Sequence, residues 1–303
     1  MVQQPTPAAD PVVYYNGEFI PSSHANVSVE ERGTLFGEGV YEVTRVYNAH
    51  PFALDEHLER LLNSLRGIGL KDPQTLAAAR ELKPASAQLL EIHNLAEALV
   101  YWQITRGPAQ PRSFLYQPNT RPSVLAIAYP TQPINTAGPP PTTTATLLPD
   151  DRWANCWIKS TMLLPNNLAY NQAREAGFGA ALLQRHGLIT EASNANAMFV
   201  RDGKILTHPD DGKILNGITR QIVLNHARNL NIPVAEQPLP IAELNTVDEA
   251  FLTGTTTHVT PVLAIDDQPV ADAKPGPVAL QLHHTLMNDI NTRCRITTHA
   301  TTP

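Results

Sequence analysis

Residues 156–170 read CWIKSTMLLPNNLAY, and the stretch carries a single charge, Lys159. Lysine is seldom fully buried unless it is paired or chemically used. Burial disfavours an ammonium and turns a surface charge into a nucleophilic amine. The ordinary alternative is a lysine at a strand end with its head in water. For one lysine alone that alternative is the better reading, so the sequence on either side has to decide.

Upstream, PTQPINTAGPPPTTT at 130–144 holds five prolines and no charge. Such a run is unsuited to a helix or a central strand and reads as a stiff interdomain linker. It divides the 303 residues into a smaller N-terminal domain, 12–129, and a larger C-terminal domain, 145–303. Residues 1–11 are polar and proline-rich, and disorder is expected there. In the first half, VVYYNGEFI predicts a hairpin turning at Asn16-Gly17. VYEVTRVYN alternates Val40, Glu42 and Thr44 with Tyr41, Val43 and Arg45, a period-2 strand. LDEHLERLLNSLRGIGL predicts a helix capped by Asp55 with an apolar stripe of Leu58, Leu61, Leu62 and Leu65. Residues 86–98 read as another helix, and LVYWQITRG and SVLAIAY as strands.

The second half predicts a helix from about Asn167 to Ala176, then the strand GAALLQR and a turn at His186-Gly187. Two strands flank Asp202-Gly203, and a helix opens after Gly217. Two further strands are separated by a Gly/Thr-rich turn, and a last helix covers about 277–292. Strands and helices mix without a βαβ rhythm, so the fold class expected is α+β in two domains.

Composition narrows the function. Lys plus Arg is 22 and Asp plus Glu 28, a net charge of -6, which excludes the basic surface that nucleic acid requires. No run of about 18 apolar residues is present, so no membrane span is expected. MVQQPTPAADPVVYY has neither a basic start nor an apolar core, so no signal peptide is expected. The two cysteines, Cys156 and Cys294, read as free thiols in a reducing compartment, and a cytoplasmic protein is expected. The histidines lack ligand spacing, so no metal is expected, and His283 and His284 read as solvated.

Four segments bear on chemistry. LITEASNAN puts Glu191 at a strand end entering a polar turn, where an ordinary solvated carboxylate is the bland reading. Beside Lys159 it gains weight, because a lysine that condenses with an aldehyde and a carboxylate that holds a pyridinium proton are what pyridoxal phosphate chemistry needs. LNGITRQIV places Ile218 and Thr219 at a helix start, and TGTTT offers Gly254, Thr255 and Thr256 at a turn. Both suit a phosphate, although either could be ordinary capping. In EHLERL, His57 and Arg60 share a helix face. That face is either solvated or turned inward, with Arg60 on a phosphate and His57 as a structural neighbour.

RGTLFGEGVYEVTRVYNAHPFALDEHLERLLNS, IKSTMLLPNNLAYNQARE, ITEASNANAMFV, ILNGITR and TGTTTHVTP occur in order over about residues 12–292. As a set they resemble the fold-type-IV pyridoxal phosphate enzymes: branched-chain and D-amino-acid aminotransferases, (R)-amine transaminases and aminodeoxychorismate lyases. The resemblance implies a two-domain α+β fold, a homodimer and pyridoxal 5'-phosphate as cofactor. It makes Lys159 the Schiff-base lysine and the proton-transfer base, and Glu191 the partner of the pyridine nitrogen. It gives the phosphate to Arg60, Ile218, Thr219 and Thr255, puts Leu215 on the ring face, and adds Asn196 to the cofactor site. Tyr41, Val43, Arg112 and Thr256 would face the substrate.

Within the family the pattern is most similar to the D-amino-acid branch. Val43 stands where the branched-chain branch has Gly, and Leu164 where it has a tyrosine. Arg112 in TRGPAQPR matches an arginine that traps the substrate carboxylate. Phe114 replaces the histidine usual two residues later, and Asn194 and Ala195 replace small serines. The activity expected is ping-pong transfer of an amino group from a D-amino acid such as D-alanine to 2-oxoglutarate or pyruvate. An (R)-amine transaminase, an aminodeoxychorismate lyase and a branched-chain aminotransferase are the enzymatic alternatives. A non-catalytic scaffold would need Lys159 or Glu191 to be lost, and both are present.

Overall fold

Asn16 and Gly17 adopt positive φ, 52° and 99°, and turn β1 (Val12–Tyr15) into β2 (Glu18–Pro21). An Asn-Gly pair accepts this left-handed backbone at little cost, which suits the twist of the strands it joins. The computed structural model describes residues 10–296. The expected disorder of 1–9 lies outside the described residues. Asp10 is placed, its carboxylate accepting from the hydroxyls of Ser22 and Ser23 at 3.0 and 2.8 Å.

The chain divides into two units. The first contains residues 10–134 with 158–162 and 292–296, so Lys159 belongs with the N-terminal part of the chain. After the short helix α1 (Arg32–Phe36) come β3 (Gly39–Tyr47), β4 (His50–Pro51), α2 (Leu54–Gly67), α3 (Pro73–Ile92), β5 (Ala98–Thr105) and β6 (Ser123–Pro130). Their six strands form an antiparallel sheet in the order β2-β1-β6-β5-β3-β4. The alternation in β3 sorts its faces. Val40, Glu42, Thr44 and Val46 are buried, whereas Tyr41 and Val43 are half-buried and pair in register with Gln103 and Tyr101 of β5. Leu61, Leu62 and Leu65 of α2 are fully buried. Trp102 is also buried, and its indole donates to Ser86 of α3 at 2.7 Å.

Two helix starts differ from the sequence reading. The N-cap of α2 is Ala53, at φ 56° and without a side-chain bond, and Asp55 instead pairs with Lys83 of α3 at 2.5 Å. The helix expected over 86–98 runs over Pro73–Ile92. Asp72 caps it by accepting from the Thr75 amide at 2.8 Å, and Pro73 sits at its first turn, where no amide is needed. Pro84 lies inside the helix on its exposed side, so the carbonyl it leaves unpaired can be solvated. Residues 98 onward are needed for β5.

The second unit contains residues 135–157 and 163–291. Its strands are β7 (Thr143–Pro149), β8 (Ala180–Arg185), β9 (Leu188–Ala192), β10 (Asn196–Arg201), β11 (Lys204–Thr207), β12 (Val234–Glu236), β13 (Glu249–Gly254), β14 (His258–Ile265) and β15 (Gln268–Pro269). They form one mixed sheet in the order β12-β11-β10-β13-β14-β7-β8-β9, with β15 on β14. The helices are α4 (Leu164–Glu175), α5 (Ile218–Asn229) and α6 (Pro277–Arg293). One face of the sheet buries Leu182, Ile189, Ala197, Phe199, Leu252 and Val262 together. From β13, Glu249 accepts the Val278 and Ala279 amides and so caps α6 at 2.9 and 2.8 Å. His283 on α6 is buried, 6% exposed, rather than solvated as its sequence suggested, while His284 is exposed. Burial holds the His283 imidazole below its ordinary pKa.

Candidate active site

In the first unit, Lys159 is fixed at both ends. Its amide donates to Ser64 Oγ at 3.1 Å, and its carbonyl accepts from the Tyr41 amide at 3.0 Å. Its Nζ donates to the Tyr41 hydroxyl at 3.3 Å and lies 4.3 Å from the centre of that ring. The ring of Tyr41 stacks in turn on Tyr101, 5.8 Å between centroids. Lys159 is half-buried, so its head is not the free strand-end lysine of the bland reading.

The opposite face of β3 carries an ion cluster that its sequence separation conceals. Glu42 is fully buried. Its Oε1 accepts from Arg60 Nε at 2.7 Å, and its Oε2 accepts from Arg60 Nη2 at 2.9 Å and faces His57 Nδ1 at 2.7 Å. The His57–Arg60 face therefore points inward. Burial alone would push the Glu42 carboxyl up, but the Arg60 guanidinium and the bonds from Arg60 and His57 overcome it and hold the group well below the usual range. Burial pulls the His57 imidazole down.

A carboxyl with a depressed folded pKa stabilises the protein above its unfolded pKa, near 4.5, and loses that contribution as pH falls toward the folded value. Glu42→Gln is expected to cost about 3–5 kcal/mol at pH 7, because Arg60 loses its buried carboxylate. The difference from wild type should shrink as pH falls below about 4.5. Urea unfolding of both proteins at pH 7 and at successively lower pH checks it, and a constant difference would show that Glu42 is not held ionised.

The second unit gathers Glu191, Asn196, Leu215, the start of α5 and the turn after β13. Glu191 Oε1 accepts from Arg152 Nη1 at 2.5 Å and from the Leu215 amide at 3.1 Å. Its Oε2 accepts from Asn196 Nδ2 at 2.8 Å. Burial pushes the Glu191 carboxyl up, against the Arg152 guanidinium. Arg152 also grips Asp150 through Nε and Nη2 at 2.8 and 2.9 Å, and Thr190 Oγ1 donates to Asp150 at 2.8 Å. Sequence reasoning missed Arg152 and Asp150; the only signal was a charged cluster, Asp150-Asp151-Arg152, shortly before the lysine. Cys156 is buried close by, and burial pushes its thiol up to about 11, so it is protonated at neutral pH.

Gly217 precedes α5 without a side-chain cap, leaving the amides of Ile218 and Thr219 at an open helix start. A Cβ on Gly217 would lie 2.0 Å from Asn196 Oδ1, so glycine there makes room for the Asn196 side chain. Asn196 pairs in register with Thr253, next to Gly254, which ends β13 before the turn of Thr255 and Thr256. Thr255 is half-buried and Thr256 exposed.

Arg112 belongs to the same unit as Lys159. It lies on the exposed loop between β5 and β6, its guanidinium 4.6 Å from the Phe36 ring and 5.9 Å from the Phe114 ring. Phe114 itself is 84% exposed. Among the described residues no group of three or more His, Cys, Asp and Glu is placed to hold a metal, and no helix is long and apolar enough to cross a membrane.

A two-sheet α+β fold with these elements defines a known class. Residues 39–265 match the Amino-transferase class IV family, and the chain belongs to it. It is a transaminase of that class. It is 38% identical over 284 residues to the D-alanine aminotransferase of Listeria monocytogenes (strain 10403S), covering 93% of this chain and 97% of the relative. Its fold is similar to the branched-chain amino acid aminotransferase of Escherichia coli, with a TM-score of 0.82 and 25% identity over 92% of this chain and 94% of that one. The T.th. branched-chain amino acid aminotransferase, solved with pyridoxamine 5'-phosphate, has a TM-score of 0.81 and 26% identity over 94% of this chain and 95% of that one.

Proposed function

We propose that this transaminase uses pyridoxal 5'-phosphate to move the amino group of a D-amino acid such as D-alanine to a 2-oxo acid by a ping-pong mechanism. The observation that carries this reading is the likeness to a D-alanine aminotransferase over nearly the whole chain. The residues present fit the cofactor. The uncapped α5 start suits a phosphate, and the buried Glu191 suits a pyridinium nitrogen. In the second unit, Ile218, Thr219 and Thr255 would hold the phosphate, Glu191 the ring nitrogen, and Asn196 and Leu215 would orient Glu191. In the first unit, Arg60, itself oriented by Glu42, would bind phosphate.

When bound, the cofactor takes up the amino group and withdraws electrons from the bond that breaks. The chain supplies the rest. Nζ of Lys159 takes the proton from the substrate Cα and returns it on the cofactor side, with the Tyr41 hydroxyl fixing the direction of its lone pair. Tyr41 and Val43 line the substrate face, Thr256 contributes a hydroxyl, and Arg112 binds the carboxylate. A homodimer belongs to the same reading.

Phe114 cannot donate a hydrogen bond, and its ring lies 5.6 Å from that of Phe36. This observation favours a second activity, turnover of (R)-amines that lack a carboxylate. The test compares kcat/KM for D-alanine and (R)-1-phenylethylamine, with L-alanine as control, in wild type, Arg112→Ala and Phe114→His. Arg112→Ala should lower the D-alanine value about ten- to a hundredfold, as for a lost bond to a charged group, and leave the amine nearly unchanged. Phe114→His should tighten D-alanine. Unchanged D-alanine turnover in Arg112→Ala would mean that other residues bind the carboxylate, and a preference for L-alanine would overturn the stereochemical assignment.

A further inference from the structure

Arg32 is wholly buried and uses its whole guanidinium fork. Nε and Nη2 donate to the two carboxylate oxygens of Glu38 at 2.9 and 2.8 Å, and Nη1 donates to the carbonyl of Ser113 at 2.6 Å. That carbonyl belongs to the residue after Arg112. The guanidinium also lies 4.6 Å from the centre of the Phe36 ring, the same ring that Arg112 lies over at 4.6 Å, and 5.7 Å from the Tyr116 ring. Glu38 accepts in addition from Arg106 Nε at 2.7 Å, and Arg106 stacks 3.5 Å from the Tyr116 ring.

The loop from Gly107 to Pro122 has little else to hold it. It forms neither helix nor strand, and most of its residues are exposed. Its N-terminal end is tied to the segment before α1 by the bridge between Glu31 and Pro108 and by the Ala109 amide on the Glu30 carbonyl at 3.2 Å. Beyond that point, the anchors are buried Arg32 on Ser113 and the stack of buried Arg106 against the exposed Tyr116 ring. An exposed loop with so few fixed points opens at low free energy, and a charged bond next to its key residue sets how often. Lysine could pair with Glu38 but could not also reach Ser113 and stay flat against two rings, so the site calls for arginine.

We propose that Arg32 is the positioning residue for Arg112: by holding the Ser113 carbonyl and sharing the Phe36 ring, it fixes the loop in the conformation that presents Arg112 to an anionic substrate group. The proposal rests on the assignment of Arg112 to the substrate carboxylate, and its test has a readout independent of that assignment. The Arg112–Ser113 peptide bond is a tryptic site, and Arg32 holds the carbonyl of the residue just beyond it. Full-length wild type, Arg32→Lys, Arg32→Gln and Tyr116→Leu would be exposed briefly to trypsin, and the fragment ending at Arg112 followed by mass spectrometry, with Arg112→Ala as the control for site identity.

Loss of one bond to a charged group should raise the initial cleavage rate about ten- to a hundredfold in both Arg32 variants, because cleavage follows the population of the open loop. Tyr116→Leu, which removes the exposed ring against which Arg106 and Arg32 lie and leaves both arginines in place, should raise it severalfold and carries the test if the Arg32 variants do not fold. KM for D-alanine should rise by up to about tenfold as the competent fraction falls, while kcat for (R)-1-phenylethylamine stays at the wild-type value. Wild-type cleavage rates in folded Arg32→Lys and in Tyr116→Leu would overturn the proposal. Faster cleavage in Arg32→Lys, with the D-alanine KM unchanged in both Arg32→Lys and Arg112→Ala, would instead leave Arg32 as the anchor of the loop and remove Arg112 from substrate binding.

Discussion

Lys159→Ala is expected to abolish transamination while leaving the protein folded. The side chain is given two tasks, holding the cofactor and moving a proton, and each contributes separately. A positioned general base alone is worth about 10²–10⁴-fold, and removal of a covalent catalyst typically costs more, so kcat should fall by at least about 10⁴-fold. The fold should tolerate the change. The contacts that place this segment are made by the backbone, through Ser64 Oγ and the Tyr41 amide, and alanine keeps both. Only the Nζ contacts to the Tyr41 hydroxyl and ring are lost. Single-turnover kinetics with D-alanine measure the loss, and thermal unfolding checks the fold. Activity near the wild-type level in a folded variant would place the essential amine elsewhere.

The parts of the fold that the sequence disclosed are those written in local periodicity. Alternation in β3, the Asn16-Gly17 and His186-Gly187 turns and the glycine before α5 each depend on neighbours only a few residues away. The α3 helix was misplaced because its start is set by Asp72 and Pro73, while the exposed Pro84 in its middle reads as a break although the helix continues through it. The site divides in the same way. Lys159, Glu191 and the helix start at Ile218 stand out as residue types in unusual surroundings. The groups that orient them do not, because they come from distant parts of the chain. Glu42 is 15 and 18 positions from His57 and Arg60, Arg152 is 39 from Glu191, and Arg32 is 81 from Ser113. Nothing in the local pattern of a strand glutamate or a helix arginine distinguishes a buried ion pair from a solvated one. Tertiary packing decides that, and here it turned an apparently solvated helix face inward.

The second large effect concerns Glu191→Gln. Glutamine has the same shape, its one carbonyl oxygen can take the Oε2 place and accept from Asn196 and, at 3.3 Å, from the Leu215 amide, and Arg152 loses one bond but stays paired with Asp150 at 2.8 and 2.9 Å. The variant should therefore fold and retain the cofactor. It removes the negative charge that would keep a pyridinium proton in place. Arg152 then works against that proton instead of being balanced by Glu191, so the electron sink is weakened from two directions. A loss of preorganised charge of this kind is worth on the order of 10²–10³-fold in kcat, with little change in KM. The Arg152 guanidinium offsets part of the burial that pushes the Glu191 carboxyl up. Arg152→Met should accordingly move activity in the same direction as Glu191→Gln but less far, since the carboxylate remains available. The measurement is steady-state kinetics with D-alanine and 2-oxoglutarate, alongside cofactor content after alkaline release. Full activity in Glu191→Gln with cofactor bound would show that the ring nitrogen needs no partner there; lost activity with lost cofactor would reassign Glu191 to retention.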